Sequence, residues 1–278
     1  SPPCPLPSNR LRARLMSDQT PLPLTLKGKI VIQFGGTGLL GPSLISALGA
    51  AGATVVIASR NRSSLDEIVA RERAAGADVH PEQADPQSEP SLLALRDRVL
   101  AQHGRIDGLV YNSAARPMRT LNDDLSAWKA SMDANATGFI ATVRTFGNAM
   151  AERKSGSIVN IASMYGMVGM NPFLYEGTAM TSAPDYFFHK GGMINVTKYL
   201  ASVYGAQGVR VNVVSPGGIY NPSKPQAPAF LERYAKMTML GRMADARELG
   251  GPVVFLLSDA AAYVTGANLV VDGGYTAK

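Results

Sequence analysis

The stretch KIVIQFGGTGLLGPSLISALGAAG, residues 29–52, decides the fold. A short run of strand-forming apolar residues enters a turn with Gly35, Gly38 and Gly41 at three-residue spacing and leaves it as a helix-forming segment. Glycine permits the tight turn and lets backbone N–H groups approach a pyrophosphate, while the N-terminus of the following helix adds the positive end of its dipole. Any tight strand-to-helix turn favours glycine, so the motif alone is weak. Its place at the first strand makes it stronger.

Further candidate strands follow at 53–58, 78–83, 106–111, 156–162, 209–214 and 267–272. The stretches between them are long enough for a helix that returns the chain to a parallel neighbour. The pattern predicts an α/β fold: a doubly wound, Rossmann-type parallel sheet of about seven strands with helices on both faces. A chain of 278 residues buries roughly three quarters of its unfolded surface. No linker interrupts it after residue 25, so residues 26–278 read as one domain behind a flexible leader, 1–25.

Apolar residues make up 46% and charged residues 17%, which argues against disorder. No run reaches the ~18 apolar residues of a membrane span. The one cysteine, Cys4, can form no intramolecular disulfide. The formal charge is +6, but Arg10, Arg12 and Arg14 concentrate part of it in the leader, so nucleic acid is not an expected partner. The leader lacks the apolar stretch of a secretory signal, and a cytoplasmic protein is expected, with an arginine-bearing targeting segment as the alternative reading of the leader. His80, His103 and His189 are scattered and no carboxylate cluster accompanies them, so no metal is expected.

The second strand ends in ASRNRSS, residues 58–64. A dinucleotide fold selecting NAD places a carboxylate about 20 residues past the glycines, where this chain has Ser59 and Arg60. A guanidinium attracts a ribose 2′-phosphate through forked hydrogen bonds. NADP(H) is therefore the expected cofactor, with NAD(H) as the alternative. Farther on, YFFHK (186–190) puts Tyr186 and Lys190 at i and i+4, on one face of a helix. If these two face the chemistry, Phe187 and Phe188 point largely away from it.

Taken in order, the glycine turn, YNSAA (111–115), SIVNIAS (157–163), YFFHK (186–190), VRVNVVSPGG (209–218) and LVVDGG (269–274) resemble the short-chain dehydrogenases/reductases, within them the gluconate 5-dehydrogenase type acting on sugar acids and polyols. The resemblance runs from about residue 26 to the end. It implies Tyr186 as acid/base, Lys190 as the cation that lowers its pKa and holds the nicotinamide ribose, Ser163 as a hydrogen-bond partner of the substrate oxygen, and Asn135 as the anchor of a proton relay. Ser163 and Asn135 could instead be caps. For the cofactor it implies Gly35, Thr37, Gly38, Leu40, Gly41, Ser59, Arg60, Asp85, Asn112, Ala114, Tyr186, Lys190, Gly217 and Ile219. Tyr165, Tyr175 and Tyr220 are expected near substrate. A homotetramer or homodimer is also implied, with Phe188, Tyr199 and Val203 expected to line the contact between subunits.

The chain departs from the family pattern at Phe34, Leu39 and Asn221, where threonine, glycine and threonine are usual. It also carries 22 residues between Ser163 and Tyr186, longer than the family norm. The extra segment, about 166–185, is either a substrate lid or a subunit contact, and its Asn171, Tyr175, Glu176, Thr178 and Thr181 suit a polyhydroxylated ligand. The expected function is NAD(P)(H)-linked interconversion of an alcohol and a ketone on a sugar, sugar acid or polyol. The alternatives are a 3-oxoacyl thioester (acyl-carrier) reductase and a non-catalytic dinucleotide-sensing protein.

Overall fold

The computed structural model describes residues 22–278. Most of the expected leader, with Cys4 and its arginines, lies outside the described residues. Leu26 is fully buried, and its N–H donates to Ala51 O at 2.8 Å.

All seven expected strands form, with some ends moved by a residue or two: β1 Ile30–Phe34, β2 Thr54–Ser59, β3 Asp78–Gln83, β4 Gly108–Tyr111, β5 Gly156–Ile161, β6 Val209–Pro216 and β7 Asn268–Val271. They make one parallel sheet in the order β3-β2-β1-β4-β5-β6-β7. The helices are α1 Gly41–Ala50, α2 Asp66–Ala74, α3 Glu89–His103, α4 Leu125–Met132, α5 Gly138–Glu152, α6 Pro184–Gly205, α7 Pro228–Met237 and α8 Gly250–Leu257. Pro81 can sit in β3 because that strand lies at the sheet edge.

Alternation along the central strands divides their side chains between two cores. Ile30, Ile32 and Phe34 join a core with residues of α3, α5 and α6, whereas Val31 joins one with residues of α1, α2 and α8. Burial on both faces explains why the central strands β1, β2 and β4 are largely apolar, whereas the edge strand β3, DVHPEQ, is mostly polar and only partly buried. A smaller cluster, Met164, Leu174, Phe230, Tyr234 and Tyr275, joins the segment after β5 to α7.

β1 pairs with β2 on one side and β4 on the other. The connections leaving β1 and β4 therefore diverge, opening a crevice beyond the C-terminal ends of the strands, where ligands of such sheets bind. Phe34 stands at this point and is buried with its ring 5.8 Å from Phe146 and 6.4 Å from Tyr111. The inter-strand tie that a hydroxyl at position 34 would make is replaced: Asn112 Nδ2 donates to Gly35 O at 3.0 Å.

Candidate active site

A cavity of about 670 Å³ follows the crevice from the glycine turn to α7, a size typical of cofactor and substrate sites. Gly35, Thr37, Gly38 and Leu40 line one end, followed by Ser59 and Arg60 from the end of β2, then Asn112 and Ala114 from the end of β4. Gly35 has φ +79°, and a Cβ there would lie 2.6 Å from Asn112 C. At Gly41, a Cβ would lie 2.2 Å from Gly36 O, so this glycine lets the turn close against α1 without itself lining the cavity. Gly38 faces open space, its added Cβ meeting only Gly35 O at 3.7 Å. A backbone packed tightly behind and open in front fits a dinucleotide pyrophosphate, and no acidic residue occupies the first turn of α1 to oppose it.

Asp85 does not line the cavity, although its neighbours Ala84, Pro86 and Gln87 do. Its carboxylate accepts from Gln87 N at 3.0 Å, bracing the turn into α3. At the other end, Gly217 and Ile219 line the cavity. Gly218 N donates to Tyr234 OH, which fixes this loop to α7. The Asn221 side chain accepts from Ser223 N and Lys224 N, so it organises its own loop.

Tyr186 and Lys190 face the cavity from the first two turns of α6, with Ser163 opposite at the end of β5. Asn160 of β5 donates to Thr197 Oγ1 at 3.0 Å, which locks α6 against the sheet. Lys190 is 3% exposed; its Nζ donates to Ile161 O at 2.6 Å and lies 5.8 Å from the Tyr186 ring centroid. Burial, reinforced by the positive charge of Arg116, pushes the Lys190 ammonium down to about 7. Ser163 Oγ accepts from Tyr165 N at 3.2 Å, capping the 3₁₀ turn Met164–Gly166. Its own hydroxyl proton remains available.

Asn135 is buried behind the cavity wall, in a π-helical turn, Asp133–Thr137, that joins α4 to α5. Such turns release backbone groups from the regular ladder and recur at functional sites. The Asn135 side chain clamps Ala115 twice, accepting from its N–H at 2.8 Å and donating to its carbonyl at 2.9 Å. It also donates to Ser131 Oγ, which donates to the buried Asp185 carboxylate at 2.5 Å. The segment after β4, the α4–α5 junction and the start of α6 thus form one hydrogen-bonded unit. His189 is buried with its ring edge-on to Tyr186 at 5.3 Å; burial and nearby cations push it down to about 3, so it stays neutral.

The remaining walls are largely aromatic and apolar. Tyr165 and Tyr175 line the cavity with their hydroxyls 2.8 Å apart. Phe187 stacks on Tyr165 at 4.7 Å, so it backs the cavity wall rather than standing apart from the site. Phe230, Tyr234, Met180 and Met243 complete this end, whereas Tyr220 is half-exposed outside it. The segment 166–185 supplies Tyr175, Met180, Thr181 and Ser182 to the cavity. Asn171 and Thr178 instead bond to nearby backbone, and Glu176 does not reach the cavity. Arg233 of α7 donates to Phe173 O and Glu176 O, holding the segment down.

Arg116 is the residue that sequence reasoning missed. It follows the YNSAA motif, lines the cavity, and sets its guanidinium carbon 4.3 Å from the Tyr186 ring centroid. Nothing local marks it, because it and Tyr186 meet only through the fold.

The family described as enoyl-(acyl carrier protein) reductase matches residues 40–276. A cis-4-hydroxycyclohexanecarboxylate dehydrogenase of Sinomonas cyclohexanicum is 33% identical, over 90% of this chain and 97% of its own. A galactitol 2-dehydrogenase (L-tagatose-forming) of Cereibacter sphaeroides is 31% identical, over 90% and 96%. Among solved structures, a gluconate 5-dehydrogenase of Burkholderia cenocepacia in complex with NADP and tartrate superposes with a TM-score of 0.82 at 27% identity, covering 92% of this chain and 98% of that one. With the sheet order and the glycine turn, these likenesses place the chain in the short-chain dehydrogenase/reductase family of oxidoreductases.

Proposed function

We propose that this protein interconverts a compact secondary alcohol and its ketone with a nicotinamide cofactor, using Tyr186 to move the proton. The observation that carries this reading is the buried Lys190, held on Ile161 O one helical turn from Tyr186, in a cavity that Ser163 also lines. The glycine turn and the N-terminus of α1 would hold the pyrophosphate. Lys190 would hold the nicotinamide ribose, and the backbone at Gly217 and Ile219 the nicotinamide end. The bound nicotinamide supplies or accepts the hydride.

Ser163 would donate its uncommitted proton to the substrate oxygen, and Tyr186 would give that oxygen its proton in reduction or remove it in oxidation. A phenolate formed in this step faces two cations, Lys190 and Arg116. The Asn135 clamp on Ala115 and the Ser131–Asp185 link hold this wall in place.

NADP(H) is the preferred cofactor in this reading: Arg60 lines the cavity just past the end of β2, where its guanidinium would meet a ribose 2′-phosphate, and no carboxylate lines the cavity among the described residues. The aromatic end suits a ring or a short polyol, in line with the names of the relatives. The exposed apolar side chains Phe188, Tyr199 and Val203 of α6 and Ile140 of α5 support self-association.

A panel of cyclic alcohols, polyols and their ketones, assayed with both cofactors, tests the activity. Tyr186→Phe should lower turnover by about 10²–10⁴-fold while titration shows cofactor affinity nearly intact. Wild-type turnover in the Phe variant would refute the role given to Tyr186.

A further inference from the structure

The cavity carries more positive charge than a neutral alcohol needs. Its lining includes three cations, Arg60, Lys190 and Arg116, and no aspartate or glutamate among the described residues. Arg60 lies beside the end of β2, and Lys190 is committed to Ile161 O. Arg116 is an exposed residue on the cavity lining and has no hydrogen-bond or ion-pair partner among the described residues; its guanidinium carbon lies 4.3 Å from the Tyr186 ring centroid.

The backbone around Arg116 is fixed from both sides. Ala115 is held at N–H and carbonyl by the buried Asn135. Pro117 follows, and a residue before proline is confined to extended conformations. A guanidinium mounted this way, with its donors unmatched by protein acceptors, has the planar fork that recognises a carboxylate in two parallel hydrogen bonds. On the neighbouring walls, Tyr165, Tyr175 and Phe230 offer apolar faces for the carbon frame.

We infer that Arg116 is a specificity-determining residue that binds a carboxylate on the substrate, so that the preferred substrate is a hydroxy acid or keto acid with a short or cyclic carbon frame. This rests on the oxidoreductase reading above and narrows its substrate class. Because the guanidinium lies over the ring of Tyr186, the carboxylate and the reacting carbon belong to one compact molecule rather than to opposite ends of a long chain.

The test compares matched pairs that differ only in the anionic group: 4-hydroxycyclohexanecarboxylate against its methyl ester, and a sugar acid against the corresponding sugar. With the wild-type protein, kcat/KM should favour each acid by about tenfold or more, the scale of a charge-assisted contact. In Arg116→Gln the acid-to-neutral ratio should fall toward one, with Arg116→Lys between.

Calorimetric titration of unreactive cyclohexanecarboxylate into the cofactor-loaded protein gives a second readout, expected to show binding that Arg116→Gln loses. A wild-type ratio near one, or equal losses for acid and neutral members in Arg116→Gln, would overturn the inference and leave the oxidoreductase reading standing. Absence of turnover on every alcohol and ketone would sink that reading instead, while calorimetry would still report on carboxylate binding.

Discussion

Replacing Lys190 with methionine should abolish turnover and, at neutral pH or below, make the protein more stable. The ammonium is 3% exposed, and burial with the help of Arg116 moves it from 10.5 to about 7. That displacement corresponds to about 5 kcal/mol, an upper bound on the cost of keeping the charge inside. Methionine has a similar length and no charge, but it deprives Ile161 O of its donor, at about 1–3 kcal/mol. The net gain is about 2–4 kcal/mol, which for a domain of this size raises Tm by about 5 °C or more.

The gain must depend on pH. Between about 7 and 10.5 the unfolded chain holds the lysine proton that the folded chain has released, so wild-type stability climbs with pH across that window. Below it both states are charged and the cost is full; above it both are neutral and the cost is gone. Thermal melts of the two cofactor-free proteins at pH 6, 8 and 10 isolate the lysine, because the other titrating groups are common to both. The difference in Tm should be largest at pH 6 and shrink through pH 8 to pH 10. A variant less stable than wild type at pH 6, or a gain that does not change with pH, would refute the reasoning.

Arg60→Asp should cost NADP(H) about tenfold or more in affinity and shift preference toward NAD(H), since it trades a forked donor for a like charge against the 2′-phosphate; an unchanged affinity ratio in titrations would remove Arg60 from the site. Phe188 is 60% exposed and meets Trp128 edge-on at 5.3 Å, so Phe188→Asp should spare the fold while breaking self-association by burying an unpaired charge. Sedimentation of a wild-type monomer at micromolar concentration, or of an unaltered oligomer in the variant, would contradict this. Gly41→Ala forces a Cβ to within 2.2 Å of Gly36 O and 2.5 Å of Gly35 O, and overpacking of this kind costs about 1–3 kcal/mol. Lower Tm and weaker cofactor binding are expected; wild-type values for both would show that the turn yields freely.

What could be read from the sequence is what short-range physics governs. Apolar runs bounded by turns located the central strands, because a strand buried on both faces needs nearly continuous apolar residues, whereas the edge strand β3, DVHPEQ, has no such run. The i, i+4 spacing put Tyr186 and Lys190 on one helical face, and glycines at three-residue spacing marked the turn before α1. Other features depended on which distant residues the fold brings together. Arg116 reaches the ring of Tyr186 only because β4 and β5 are neighbours and α6 packs over them. Asn135 was legible as a family position, but its clamp on Ala115 and its link through Ser131 to Asp185 require a π-helical turn that no local pattern announced. The polar residues of segment 166–185 looked alike in sequence; only packing against α7 decided that Thr181 faces the cavity while Asn171 and Thr178 bond to nearby backbone. Hydrogen-bonding capacity is a property of the residue type, but the partner that satisfies it is chosen by the tertiary arrangement, and there the substrate end of this cavity acquired its aromatic walls and its unmatched arginine.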